Sequence, residues 1–179
     1  MARPMSNLGF AAMSLVFRLR DLLWPPTRTL EEARIAPGDR VLDFGCGPGS
    51  YSVAAAQRVG EAGRVYALDV HPKAIEAVQR RAARLGLRNV ETIRGPVPPT
   101  LESGSIDVVL LYDTFHLLDD PQATLDDLAR LLKPEGTLSF TDHHMKDADV
   151  REKVAAGGRF QLAENCRYSY RFVKPAKQP

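Results

Sequence analysis

Cysteine is almost missing from this 179-residue chain, which holds only Cys46 and Cys166. Two thiols so far apart build neither a disulfide framework nor a C-x-x-C metal or redox pair. A reducing cytoplasm is the expected compartment. An excess of one charge is missing as well. Lys and Arg number 24 against 22 Asp and Glu, a formal net charge of +2. Such a balance argues against the broad basic field of a nucleic-acid binder. There is no internal repeat, and no low-complexity tract beyond the tail from Lys174 to Pro179. Nor is there a clean hydrophobic run. The apolar stretch from Leu8 to Trp24 is interrupted by Arg18, Arg20 and Asp21, and falls short of the ~20 residues a bilayer span needs. No small-residue cleavage site follows it, so it reads as a surface helix that neither spans nor exports. The length suits a single domain, given ~100–200 residues per domain.

The stretch Arg40-Val-Leu-Asp-Phe-Gly-Cys-Gly-Pro-Gly-Ser50 organises the rest. Val41 to Phe44 is short, apolar and followed at once by glycines, the pattern of a buried parallel strand. Gly45, Gly47 and Gly49 supply a turn where backbone can lie against a ligand, and Ser50 is placed to cap a helix from Tyr51 to Val59. Strand, glycine turn and helix N-terminus make a nucleotide-type site. The spacing is G-x-G-x-G, however, with Ser50 where a dinucleotide fingerprint has its third glycine. Asp43 would repel a pyrophosphate and attract a ligand carrying ammonium and sulfonium charge. Val65-Tyr-Ala-Leu-Asp69 is a second strand ending in an acid 24 residues after Gly45, where a ribose-binding carboxylate belongs. Two such acids fit S-adenosylmethionine (SAM) better than NAD.

With Val41-Leu-Asp-Phe-Gly-Cys-Gly-Pro-Gly49, Asp69, Ile106-Asp-Val-Val-Leu-Leu-Tyr112 and Leu132-Lys-Pro-Glu-Gly-Thr-Leu138 in order, the chain resembles the class I SAM-dependent methyltransferases from Thr29 onward. The resemblance implies SAM as cofactor and methyl transfer. It also implies a Rossmann-like, mostly parallel seven-stranded sheet with helices on both faces and a C-terminal antiparallel hairpin. Residues 1–28 would form an N-terminal helix or cap on a SAM-binding core of residues 29–179, all one domain.

In chain order, Leu8, Ala12, Leu15, Leu19 and Leu22 form a helical stripe that Phe10, Met13 and Phe17 widen. This helix is an extra layer on the core, a lid over the acceptor, or a membrane-surface or dimer contact. Thr29 to Ala36 is a short helix. A helix begins at His71-Pro72 and buries Ile75, Val78, Ala82 and Leu85; its arginines read as a solvated face. Val90 to Arg94 is an edge strand, followed by a proline-rich segment from Gly95 to Thr100. The strand Ile106 to Tyr112, the helix Gln122 to Leu132 and the strand Thr137 to Thr141 come next, with Lys133 to Gly136 as the turn between the last two. Asp147 to Ala156 is a helix, and Phe160 to Glu164 and Tyr168 to Val173 form the closing pair.

Asp43, Gly45, Cys46, Gly47, Gly49, Ser50, Asp69, Val70, Gly95 and Tyr112 are the candidate cofactor contacts. Asp43 would draw the ammonium and Asp69 the ribose hydroxyls, while the resemblance lacks its usual acid after the third strand, leaving adenine to backbone and apolar contacts. Asp113, His116 and His143 are the candidate catalytic residues, histidine being the natural base near neutral pH. His143 and His144 would face opposite ways if the strand persists, and no metal site is expected. The expected acceptor is a small molecule, with no nucleic acid, the chain acting as monomer or homodimer. A non-catalytic SAM-binding module and a methyltransferase acting on protein or RNA are the alternatives.

Overall fold

The computed structural model describes residues 6–23, 26–97 and 101–175. The chain alternates helix and strand: α1 (Asn7–Leu23), α2 (Thr27–Glu32), β1 (Arg40–Phe44), α3 (Ser50–Val59), β2 (Arg64–Asp69), α4 (Pro72–Arg84), β3 (Val90–Arg94) and β4 (Ile106–Tyr112). After a 3-10 turn at Phe115–Leu117 come α5 (Pro121–Leu131), β5 (Leu132–Thr141), α6 (Asp147–Ala155), β6 (Gln161–Asn165) and β7 (Tyr170–Val173). The strands form one seven-stranded sheet in the order β3-β2-β1-β4-β5-β7-β6. β1 to β5 run parallel, while β7 is antiparallel to β5 and to β6. The Rossmann-like sheet and closing hairpin therefore stand as the sequence led one to expect. Trp24 and Pro25, residues 98–100 of the proline-rich segment and the tail from residue 176 lie outside the described residues.

The central strands are buried on both faces, which is why they are continuous apolar runs. Leu42, Leu68, Val109, Leu111, Leu138 and Phe140 belong to a core completed by α5, α6 and Phe172. Val41, Val65, Val108 and Leu110 point to the opposite face, against α2 and α3. That alternation follows from the two-residue period of a strand. A strand order that reverses between β1 and β4 leaves a crevice at their carboxyl ends.

Several local readings are corrected. α2 spans Thr27–Glu32 and not Thr29 to Ala36, and Leu85, expected on the buried face of α4, is 48% exposed. Ser50 does not cap α3: Gly49 holds the cap position in a left-handed conformation (φ 84°), and Ser50 opens the helix itself. α5 starts one residue early, at Pro121, because Asp120 accepts a hydrogen bond from the Ala123 amide and Pro121 suits a first turn that lacks its N–H partner anyway. β5 runs directly out of α5. Leu132 pairs with Ile106 and Thr137 with Val108, so the expected turn at Lys133 to Gly136 is a bulge within the strand. At Gly136 a Cβ would lie 3.1 Å from both the Asp107 carbonyl oxygen and the Lys133 amide nitrogen, backbone atoms with little room to give.

The structure settles the orientation of α1, which the sequence left open. The stripe of Leu8, Ala12, Leu15 and Leu19 faces solvent, and Leu8 is 82% exposed. Phe10 is the buried residue, packed with Cys46, Ala67, Ala74 and Val78, with Met13 beside it. Phe10 also stacks on His71, ring centroids 4.5 Å apart and planes 18° from parallel. Both sides of this helix are apolar, and the aromatic side buries more area per residue.

Candidate active site

The crevice is built from strand ends and one helix laid over them. β1 delivers Asp43, which is 3% exposed. Its carboxylate accepts a hydrogen bond of 2.5 Å from the Ser52 hydroxyl, on the first turn of α3. Burial pushes the Asp43 carboxyl up to about 7; the Ser52 bond pulls it down and the charge of Asp69 pushes it further up. The same burial raises the Cys46 thiol well above its ordinary range, as do the charges of Asp43 and Asp69, so Cys46 is a packing residue.

The glycines divide their work. A Cβ on Gly45 would sit 2.2 Å from the Thr114 hydroxyl, and one on Gly49 would sit 2.7 Å from Val78, so these two glycines admit the protein's own side chains. Gly47 faces open space up to the Phe17 ring at 3.9 Å. Asp69, at the end of β2, holds the turn from the side: one oxygen accepts from the Gly47 amide at 2.9 Å and the other from the His71 amide at 2.8 Å. A carboxylate has about four acceptor sites, so each oxygen keeps one lone pair for a ligand hydroxyl. Val70 follows Asp69, half-buried, and the Gly95 amide closes the neighbouring strand end by donating to the Asp69 carbonyl at 3.0 Å.

Tyr112 ends β4, buried, its hydroxyl 2.7 Å from that of Ser139 and its ring edge-on to Tyr51 at 4.6 Å. Asp113 follows with φ 50°, a left-handed conformation that non-glycine residues seldom adopt. Such outliers concentrate at functional sites. Asp43, Gly45, Cys46, Ser50, Tyr112 and Asp113 line one cavity of about 30 Å³, roofed by Phe17 and Arg20 of α1. The Arg20 guanidinium lies 4.3 Å from the centroid of the Phe17 ring and 5.6 Å from that of Tyr51.

The histidines stand outside this cavity's lining, in two hydrogen-bonded pairs. His143 Nδ1 lies 2.7 Å from Asp113, and its own backbone amide donates to the same oxygen at 2.9 Å. His116 Nδ1 lies 2.9 Å from the buried Asp142, which also accepts from the His116 and His144 amides. The strand ends at Thr141, so the alternation expected of His143 and His144 does not apply; both are exposed, and His144 sits against His116 with ring centroids 4.1 Å apart. Among the described residues no group of three or more His, Cys, Asp or Glu is placed to hold a metal ion. Sequence reasoning missed Phe17 and Arg20 as roof, Tyr51 as wall, His71 as support and Ser52 as the partner of Asp43. The pairing of Ser52 had one signal, a hydroxyl on the first turn of the helix that follows the glycines.

A glycine turn, two strand-end acids and a covering helix at the switch point of an open sheet define a binding site for a nucleoside-bearing ligand. The model of the methyltransferase domain family matches residues 35–176, and the chain belongs to that family. It is 45% identical over 75 residues to a protein named probable cobalt-precorrin-6B C(15)-methyltransferase (decarboxylating) of Saccharolobus solfataricus, covering 41% of this chain and 38% of that one. It is 36% identical over 115 residues to nocamycin O-methyltransferase of Saccharothrix syringae, covering 64% of this chain and 41% of the relative. The chain thus spans about two fifths of the length of these curated relatives. Among solved structures, a SAM-dependent methyltransferase from Aquifex aeolicus superposes with a TM-score of 0.78 at 26% identity, covering 95% of this chain and all of the other.

Proposed function

We propose that this protein is a SAM-dependent methyltransferase acting on a small-molecule acceptor. The observation that carries the reading is Asp43: a buried carboxylate, at the floor of a cavity bounded by the glycine turn, that burial holds up to about 7. A cationic ligand relieves that cost, and the SAM ammonium and sulfonium are cations. Bound SAM supplies a methyl group already activated by its sulfonium, so the protein's share is alignment and exclusion of water.

Asp43 attracts the ammonium, and Gly47 lets the ligand approach backbone, within a turn that Gly45, Cys46, Gly49 and Ser50 complete. Asp69 accepts from the ribose hydroxyls, Val70 and Gly95 flank the adenine, and Tyr112 walls the methyl side. Phe17 and Arg20 shut the cavity against water; a volume near 30 Å³ is about one water's share of liquid, so α1 moves outward when ligands enter. Asp113 holds His143 through Nδ1–H, which leaves Nε2 free to take the acceptor's proton. Asp142 holds His116 in the same way, as a positioning residue beside it.

The chain is one domain, residues 1–28 capping a core of residues 29–179. It works in a reducing cytoplasm as a monomer or homodimer, without nucleic acid. Relatives named for both carbon and oxygen methylation support a small acceptor and leave its reacting atom open. Titrating SAM calorimetrically tests the cofactor, with NAD as control. Wild type is expected to bind SAM in the micromolar range and not NAD. Asp69→Ala is expected to weaken SAM at least tenfold, and unchanged affinity would refute the site.

A further inference from the structure

The outer side of α1 is unlike the rest of the surface. Leu8, Leu15, Val16, Leu19 and Leu23 are 82%, 62%, 63%, 63% and 64% exposed, on the side of the helix turned away from Phe10 and Phe17. They make up five of the eight exposed large hydrophobics among the described residues. A contiguous apolar ridge of this kind marks an interaction surface.

Its flank says what covers it. Between α1 and α4 runs a groove of about 1000 Å³ whose wall on α1 includes Ser14 and Leu15, and whose wall on α4 carries Lys73, Arg80, Arg81 and Arg84. Glu76 offsets part of that charge, pairing with Lys73 at 2.9 Å and Arg80 at 3.4 Å. Arg81 is engaged, donating to the Ser50 hydroxyl at 2.9 Å, and Lys73, Arg80 and Arg84 against Glu76 leave the groove basic.

We infer that α1 and the adjoining face of α4 form a docking surface for an anionic lipid bilayer, the leucines entering the acyl boundary and the arginines meeting headgroup phosphates. An apolar helix face bordered by cations is the pattern of an interfacial helix. Among the described residues no helix is long and apolar enough to cross a membrane, so contact is made at the surface. A second copy of this chain is a poorer occupant: pairing two α1 ridges brings two basic grooves to one seam, where like charges repel. The opposite side of α1 roofs the active-site cavity, so docking sets the roof at the bilayer, where an amphiphilic acceptor resides. The surface does not depend on which cofactor binds.

Flotation of the purified full chain with vesicles tests the inference. Phosphatidylcholine vesicles containing about 30 mol% phosphatidylglycerol are compared with pure phosphatidylcholine; each cation near an anionic surface is worth roughly fivefold in partition, so two net charges predict a preference of about twenty-fivefold, lost at high salt. Leu15→Glu with Leu19→Glu is expected to reduce binding to the anionic vesicles at least tenfold, with thermal midpoint and SAM affinity unchanged. Arg80→Glu with Arg84→Glu is expected to abolish the preference while leaving the fold intact. Equal partition into both vesicles would overturn the inference. So would an absence of partition, or a dimer in solution that the leucine variants dissociate.

Discussion

Asp43 is predicted to stand against stability and for binding, and the two effects have opposite pH signatures. In the ligand-free protein burial raises its carboxyl to about 7, roughly three units above an unfolded aspartate, which corresponds to about 4 kcal/mol. The folded state therefore holds its proton more tightly than the unfolded state. The contribution is favourable below the unfolded value near ~4 and is lost as pH rises through about 7. At pH ~8 the ionised group is a cost that Asp43→Asn removes, and the amide oxygen still accepts from Ser52. Allowing for desolvation of the amide itself, the variant is expected to be about 2–4 kcal/mol more stable than wild type at pH ~8 and little changed at pH ~5. Cofactor binding should move the other way. Ionised Asp43 is the form that binds an ammonium, so wild-type Kd for SAM should rise about tenfold per unit below pH ~7 and be flat above it. Asp43→Asn should bind at least thirtyfold more weakly, with that dependence gone, since a buried charge pair that loses one partner costs about 2–5 kcal/mol. Urea unfolding at the two pH values reads the stability arm. Calorimetry in buffers of different ionisation enthalpy reads the protons released on binding. Wild-type affinity that is flat from pH ~6 to ~8, or an Asn variant less stable than wild type at pH ~8, would refute the reasoning. Ser52→Ala removes the hydrogen bond that lowers the carboxyl, so it should move the binding midpoint upward.

Two further predictions concern the turn and the base. Gly45→Ala puts a Cβ 2.2 Å from the Thr114 hydroxyl at φ +79°, and overpacking with backbone strain should cost about 2–4 kcal/mol; a thermal midpoint within error of wild type would show that the turn tolerates side chains. His143→Gln should keep SAM affinity and lower kcat about a hundredfold or more, as loss of a general base does. If His116→Gln does so instead, the roles given to the two histidines are exchanged.

The sequence alone was enough to place most elements and to nominate the cofactor candidates. Strand β1 is a short apolar run, its turn is three glycines, and the acids at 43 and 69 stand at strand ends; each is a local pattern that no distant contact has to complete. The alternation of strands with helices settles the parallel sheet, because a right-handed crossover leaves few other arrangements. Contacts between elements decided the rest. α1 is apolar on both sides, so its sequence could not say which side is buried; Phe10 meeting His71 and Phe17 meeting the glycine turn did. Gly45 and Gly49 read as ligand-facing, and their neighbours Thr114 and Val78, distant in sequence, show that they are packing positions. The carboxyl of Asp43 has an ordinary affinity for protons in an unfolded chain. Only the surrounding protein, by excluding water from it, makes it a group that titrates near neutrality and welcomes a cation.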